Sequence, residues 1–179
     1  MPRSYLALAT TQIFGIPTLI LIAAAIAVIV GYFLHASPIG RQLYATGSNP
    51  EAASMIGIRR NWLVFATFAA SGLLSGLAGV LWGARFATVD ATAATGLELQ
   101  VIAAVVVGGV NIFGGSGTIL GVVLGAIVLG TLQNALNILN ISQFWLLALY
   151  GAAILGAVVL DTFITRWVQR TILSRRKTA

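Results

Sequence analysis

The run from Ile16 to Leu34 holds nineteen residues without one charged side chain. At about 1.5 Å per residue, a helix of that length crosses about 30 Å of hydrocarbon. Four further apolar stretches follow: Trp62 to Ala84, Leu97 to Phe113, Ile119 to Leu139 and Phe144 to Ile164. No water-soluble core accommodates so many such segments in a chain of 179 residues. With 59% hydrophobic and 8% charged residues, there is too little polar surface to cover a soluble domain. The stretches show no period-two alternation, which argues against a membrane β-barrel. The expected fold class is all-α, a polytopic bundle of about five membrane segments within a single transmembrane domain over 1–179.

Charge sets the orientation. The formal net charge is +6, from ten basic and four acidic residues. The arginines are not interleaved with aromatics on a polar face, so nucleic acid is not the expected partner. They flank the apolar runs instead, as cytoplasmic anchors do. The third segment is short, and either crosses as a broken helix or dips in and returns. If it crosses, Arg41, Arg59, Arg60, Arg166, Arg170, Arg175, Arg176 and Lys177 share one side, leaving Arg3 and Arg85 opposite. The positive-inside rule favours that arrangement, with loop 35–61 and the basic tail 165–179 in the cytoplasm. It also places Met1 outside, where nothing explains how a new chain would begin. The sequence therefore reads as the C-terminal part of a longer membrane protein. The first apolar run is too long for the core of a cleavable signal peptide.

Chemistry of several kinds is excluded or disfavoured. The chain has no cysteine and one histidine, His35, which argues against thiol chemistry and metal ligation. A phosphate-binding loop requires a lysine after its glycines, and GGSGT at 114–118 has none. That cluster reads as a tight turn between two spans. Glu51, Asp90, Glu98 and Asp161 all fall outside mid-membrane depth, so an intramembrane proton relay is not expected. Trp62, Trp82, Trp145 and Trp167 lie near span ends, as an aromatic belt does.

Small residues recur at helical spacing. Gly72, Gly76, Gly79 and Gly83 form one stripe, and Gly117, Gly121 and Gly125 another. Both spacings allow close helix approach in lipid. Amides are present at Asn111, Gln133, Asn134, Asn137 and Asn140. Amides both donate to and accept from hydroxyls, which suits a path for a neutral, hydroxylated solute. They also serve interhelical hydrogen bonding, the blander and favoured reading.

The polar interruption YATGSNPEAASMIGIRR, residues 44–60, is the other departure from lipid-like sequence. Ser48 and Glu51 have capping-box spacing; alternatively Asn49 is the N-cap with Pro50 in the first helical position. Gly57 is placed to end the helix. About two turns result, Pro50 to Ile56, with Ala52, Ala53 and Ile56 on one small apolar side. A connecting loop does not need so much local specification, so docking into a partner is expected.

GRQLYATGSNPEAASMIGI resembles the cytoplasmic coupling loop of ribose-type sugar permeases of bacterial ABC importers. Residues 96–139, GLELQVIAAVVVGGVNIFGGSGTILGVVLGAIVLGTLQNALNIL, resemble the same family's C-terminal core. Autoinducer-2 and rhamnose permeases are equally similar; branched-chain amino acid permeases rank below sugars. The resemblance covers about Ile16 to Asp161 and implies a transport subunit rather than an enzyme. It implies that Gly40, Gly47, Asn49, Pro50, Glu51, Ala52, Ala53, Gly57 and Ile58 couple to a separate ABC ATPase, which binds ATP and magnesium. A second permease chain, identical or different, and a periplasmic or extracellular sugar-binding protein complete the implied assembly in the inner membrane. Asn111, Gln133, Asn134 and Asn137 are the candidate translocation path. No catalytic, cofactor-binding or metal-ligating residue is expected in the chain itself. The rival readings are a secondary transporter or channel of other ancestry, and a truncated, non-transporting membrane fragment.

Overall fold

The structure, a computed structural model, describes residues 11–13, 15–87 and 94–176. Arg3, Asp90 and Lys177 lie outside them. The chain is all-α, as its composition predicts. Among the described residues, only a two-residue antiparallel pairing, β1 (Gln12–Ile13) with β2 (Ile16–Pro17), precedes the helices. It divides into two compact units, 1–95 and 96–179.

In the first unit, α1 (Thr18–Ala36) is a nineteen-residue apolar helix with no buried residue. Its apolar side chains therefore face outward, the arrangement that lipid requires. It leads into α2 (Pro38–Ser48) and α3 (Pro50–Met55), then into the 27-residue α4 (Arg60–Phe86). The helix α2 was not expected from the sequence, where 35–61 reads as a loop with one short helix. It starts because Ser37 caps it, its hydroxyl accepting from the Gly40 N–H at 2.9 Å, and Pro38 occupies the first turn. Gly40 is buried, and a side chain there would collide with the Leu34 backbone of α1. That glycine is what lets the chain fold back tightly between α1 and α2.

The second unit packs α5 (Leu97–Val107), α6 (Ile119–Ile138) and α7 (Gln143–Arg176). Ala103 and Ala104 of α5, Leu129 of α6, and Leu146 and Tyr150 of α7 form its core. A Cβ at Gly121 would meet the Gly108 carbonyl, and one at Gly125 the Ala104 carbonyl. The Gly121/Gly125 pair thus brings α5 and α6 together backbone to backbone, as the small-residue spacing predicts. Among the described residues, nothing lies within 4 Å of a Cβ placed at Gly72, Gly76 or Gly79.

Two helices end elsewhere than the apolar segments do. The third segment, read as 97–113, is helical only to Val107, about 16 Å long. Gly109, with φ of 81°, ends it: its N–H donates to Val106 O and that of Val110 to Val105 O, the paired bonds of a Schellman motif. Residues 108–118 then turn without regular structure. Asn111 accepts from the Gly114 N–H at 3.0 Å, and Gly114, Gly115 and Gly117 all have positive φ. GGSGT is thus a turn, as read. At the other end, the membrane segment expected over 144–164 is part of one 34-residue helix, α7, which continues through the basic tail to Arg176.

Candidate functional site

Two regions hold the residues singled out from the sequence. The first is α3 with its flanks. Asn49 is the N-cap: its Oδ1 accepts from the Ala52 N–H at 3.0 Å, with Pro50 in the first turn. The capping-box alternative does not form, because Ser48 is the last residue of α2. The Asn49 backbone N–H also donates to Ala45 O at 3.0 Å, so the same residue closes α2. Its extended backbone, φ −148° and ψ 97°, is what a following proline imposes. At the far end Gly57 has φ of 84°. Its N–H donates to Ser54 O at 3.1 Å and that of Ile58 to Ala53 O at 3.1 Å, another Schellman motif. Six residues therefore make a helix that would not persist alone, held by caps at both ends. Glu51 lies in the first turn, where the helix dipole favours it.

The structure divides the expected docking side. Ala53 is 3% exposed and belongs to the core of its own unit, so it is not available to a partner. Ala52 is exposed, as are Met55 at 86% and Ile56 at 74%. The free apolar surface of α3 is thus Ala52, Met55 and Ile56. Met55 was not singled out in the sequence, although its bulk and its place in a polar segment mark it. Gly40 is buried between helices and Gly47 half-buried in α2, so both shape the fold rather than present a surface. Thr46, also in α2, is buried with its hydroxyl donating to Gln42 O at 2.7 Å.

The second region is the amide set. Gln133 of α6 is half-buried, and its Oε1 accepts from Gln100 Nε2 of α5 at 2.9 Å. Gln100, which sequence reasoning did not single out, is the partner. Asn134 and Asn137 are exposed and do not share that pair. Asn111 does not join them: its Oδ1 accepts from the Phe113 N–H at 2.8 Å and shapes the turn after α5. With Ser116 and the small residues Ala152, Ala153 and Gly156 of α7, it lines a cavity of about 500 Å³. Asn140 has φ of 53° and caps α6, the Ile141 N–H donating to Leu136 O at 3.0 Å. Among the described residues, no group of three His, Cys, Asp or Glu is placed to hold a metal.

Comparison with known proteins places the chain in a family. Residues 2–158 match the family model described as branched-chain amino acid transport system, permease component. The ribose import permease of Haemophilus influenzae is 39% identical over 160 residues, which is 89% of this chain and 50% of that protein. The L-arabinose transport system permease of Escherichia coli is 38% identical over 161 residues, 90% of this chain and 49% of that protein. The D-allose transport system permease of the same organism is 35% identical over 155 residues, 87% and 48%. The chain spans about half the length of these relatives. No solved structure matches. With three helices among the described residues long and apolar enough to cross a bilayer and a family match over nearly its whole length, the chain is an integral membrane protein that belongs to this permease family of bacterial transport systems.

Proposed function

We propose that this chain forms the C-terminal half of a sugar importer's permease subunit, with α3 as the lever through which a separate ATPase moves the membrane helices. The observation that carries this reading is the exposure of Met55 and Ile56 on a six-residue helix fixed at both ends. A bulky apolar pair left bare on a polar, basic segment fits a partner's cleft better than water. Asn49, Pro50 and Gly57 hold the lever's shape, Glu51 and Ala52 flank its surface, and Ile58 closes its end. ATP binding elsewhere closes a motor dimer, α3 follows, and two permease chains change which side of the inner membrane is open. A binding protein outside the cytoplasm delivers the solute, and the C-terminus lies in the cytoplasm.

The sugar class is favoured over branched-chain amino acids because the ribose, allose and arabinose permeases are the named relatives. The Gln100–Gln133 pair fits a path for a neutral solute rich in hydroxyls, with Asn134, Asn137 and Asn111 along the same unit. The test is Met55→Asp with Ile56→Asp in the complete importer. Both positions are exposed, so the fold tolerates them. Co-purification of the ATPase and ATP-driven uptake by proteoliposomes are both expected to fall more than about tenfold, the loss of a hot-spot contact. Retention of both overturns the lever. Uptake without ATP supports a secondary transporter instead.

A further inference from the structure

At the head of α4, an arginine and a tryptophan that the lever does not use line a cavity that also reaches the lever's far end. Gln42 of α2, Ile56, Gly57, Ile58 and Arg59 of the connection, and Trp62 and Leu63 of α4 line a space of about 440 Å³. At about 30 Å³ per water this holds roughly fifteen solvent molecules, room enough for a phosphoglycerol headgroup.

Its depth follows from α4 itself. Trp62 and Trp82 are twenty residues apart on this helix, about 30 Å, the thickness of the hydrocarbon. Trp62 is 59% exposed. At the other end Trp82 lies 4.7 Å from Phe86, whose ring carries the Arg85 guanidinium at 5.4 Å. The helix is bracketed by two aromatic and arginine belts, and the cavity sits just beyond one of them.

The chemistry is amphiphilic in the right order. Arg59 lines the cavity, and among the described residues no carboxylate pairs with it. Between residues 40 and 62 three arginines face one acid, Glu51, and Glu51 is not part of the lining. Gln42 adds an amide donor. Below Trp62 the exposed side chains at steps of three are Phe65 at 72% and Phe68 at 75%. A cationic recess thus opens directly onto a bare apolar track on a membrane-length helix. A soluble anion would use the recess but not the track, and a protein cleft would not need the track to run into the bilayer.

We propose that this recess takes the phosphate of an anionic phospholipid, its acyl chains lying along Trp62, Phe65 and Phe68. The recess borders the lever and shares Ile56 with its free surface, but the lipid test contains no ATPase, so its failure and the lever's failure are read separately. The test uses the full chain with Trp82, Trp145 and Trp167 replaced by phenylalanine, so that Trp62 alone reports. It is placed in phosphatidylcholine vesicles carrying brominated phosphatidylglycerol or, at equal mole fraction, brominated phosphatidylcholine. Quenching by the anionic lipid is expected to correspond to about fivefold enrichment at Trp62, equivalent to about 1 kcal/mol for one arginine near the surface. Arg59→Gln is expected to remove the enrichment, whereas Arg85→Gln leaves it. Equal quenching by the two lipids overturns the proposal, as does enrichment that survives Arg59→Gln or is lost equally with Arg85→Gln. Inorganic phosphate that abolishes the enrichment at constant ionic strength assigns the recess to a soluble anion and also overturns it. Should the single-tryptophan protein not fold, native mass spectrometry of the otherwise unaltered chain decides. At least one retained phosphatidylglycerol is expected, lost on Arg59→Gln, and no such difference overturns the proposal.

Discussion

Gly108 at the end of α5 and Gly121 in the first turns of α6 face each other with no side chain between them. A Cβ added at either glycine would meet the other's carbonyl group. The second unit's first two helices are held at a distance that only glycine permits, and three measurements on this unit follow.

Gly121→Val forces the two backbones apart and is expected to cost about 1–3 kcal/mol, the range for overpacking. Gly130 lies on the same helix with nothing within 4 Å of an added Cβ. Gly130→Ala is therefore expected to be neutral or stabilising. Thermal unfolding of both variants in detergent, followed by helical signal, separates close approach from simple glycine content.

Gln100 and Gln133 are each other's partner at 2.9 Å. Gln100→Leu leaves the Gln133 amide without that partner, at a cost of about 0.6–1.7 kcal/mol for such a bond in lipid. The double change Gln100→Leu with Gln133→Leu is expected to cost less than the sum of the singles. Additive losses mean that the two amides work independently.

Tyr150 is 4% exposed, and its hydroxyl has no hydrogen-bond partner among the described residues. A buried unpaired polar group costs about 1–3 kcal/mol, so Tyr150→Phe is expected to leave stability unchanged or raise it. A fall in melting temperature shows that the hydroxyl is satisfied in the assembled protein.

For the first unit, Asn49→Ala removes the cap on α3 and is expected to cost about 1 kcal/mol, with Asn49→Asp retaining most of it. Nothing lies near a Cβ at Gly57, so Gly57→Ala tests backbone conformation alone, at about 1–2 kcal/mol for the left-handed region. Amide hydrogen exchange at Ala52 and Ala53 is the readout. Protection unchanged in both variants means that the caps do not hold the helix.

Much of this was legible in the sequence because local chemistry decided it. Asn49, Pro50 and Gly57 specify α3 by side-chain capping and positive φ, and both operate within a few residues. The Gly121/Gly125 spacing announced a close helix contact for the same reason. The helix α2 starts with the same grammar, Ser37-Pro38 as Asn49-Pro50, but lies outside the apolar runs that membrane length marks. Apolar length marks where a membrane segment ends, near Ile164, and not where its helix ends. Arginine is a good helix former, and nothing between Thr165 and Arg176 is Gly or Pro to stop the helix. Gln100 could not be found by spacing, since its partner is 33 residues away and only the folded hairpin brings them together. The inward turn of Ala53 belongs to the same class: periodicity names a face, and tertiary packing chooses its neighbour.

Asn49 closes one helix with its main chain and opens the next with its side chain. No spacer stands between the two, so the joint is an elbow without slack. On the lever reading proposed above, a turn of the short arm reaches the long arm through this single residue rather than through a loop, as in a crank.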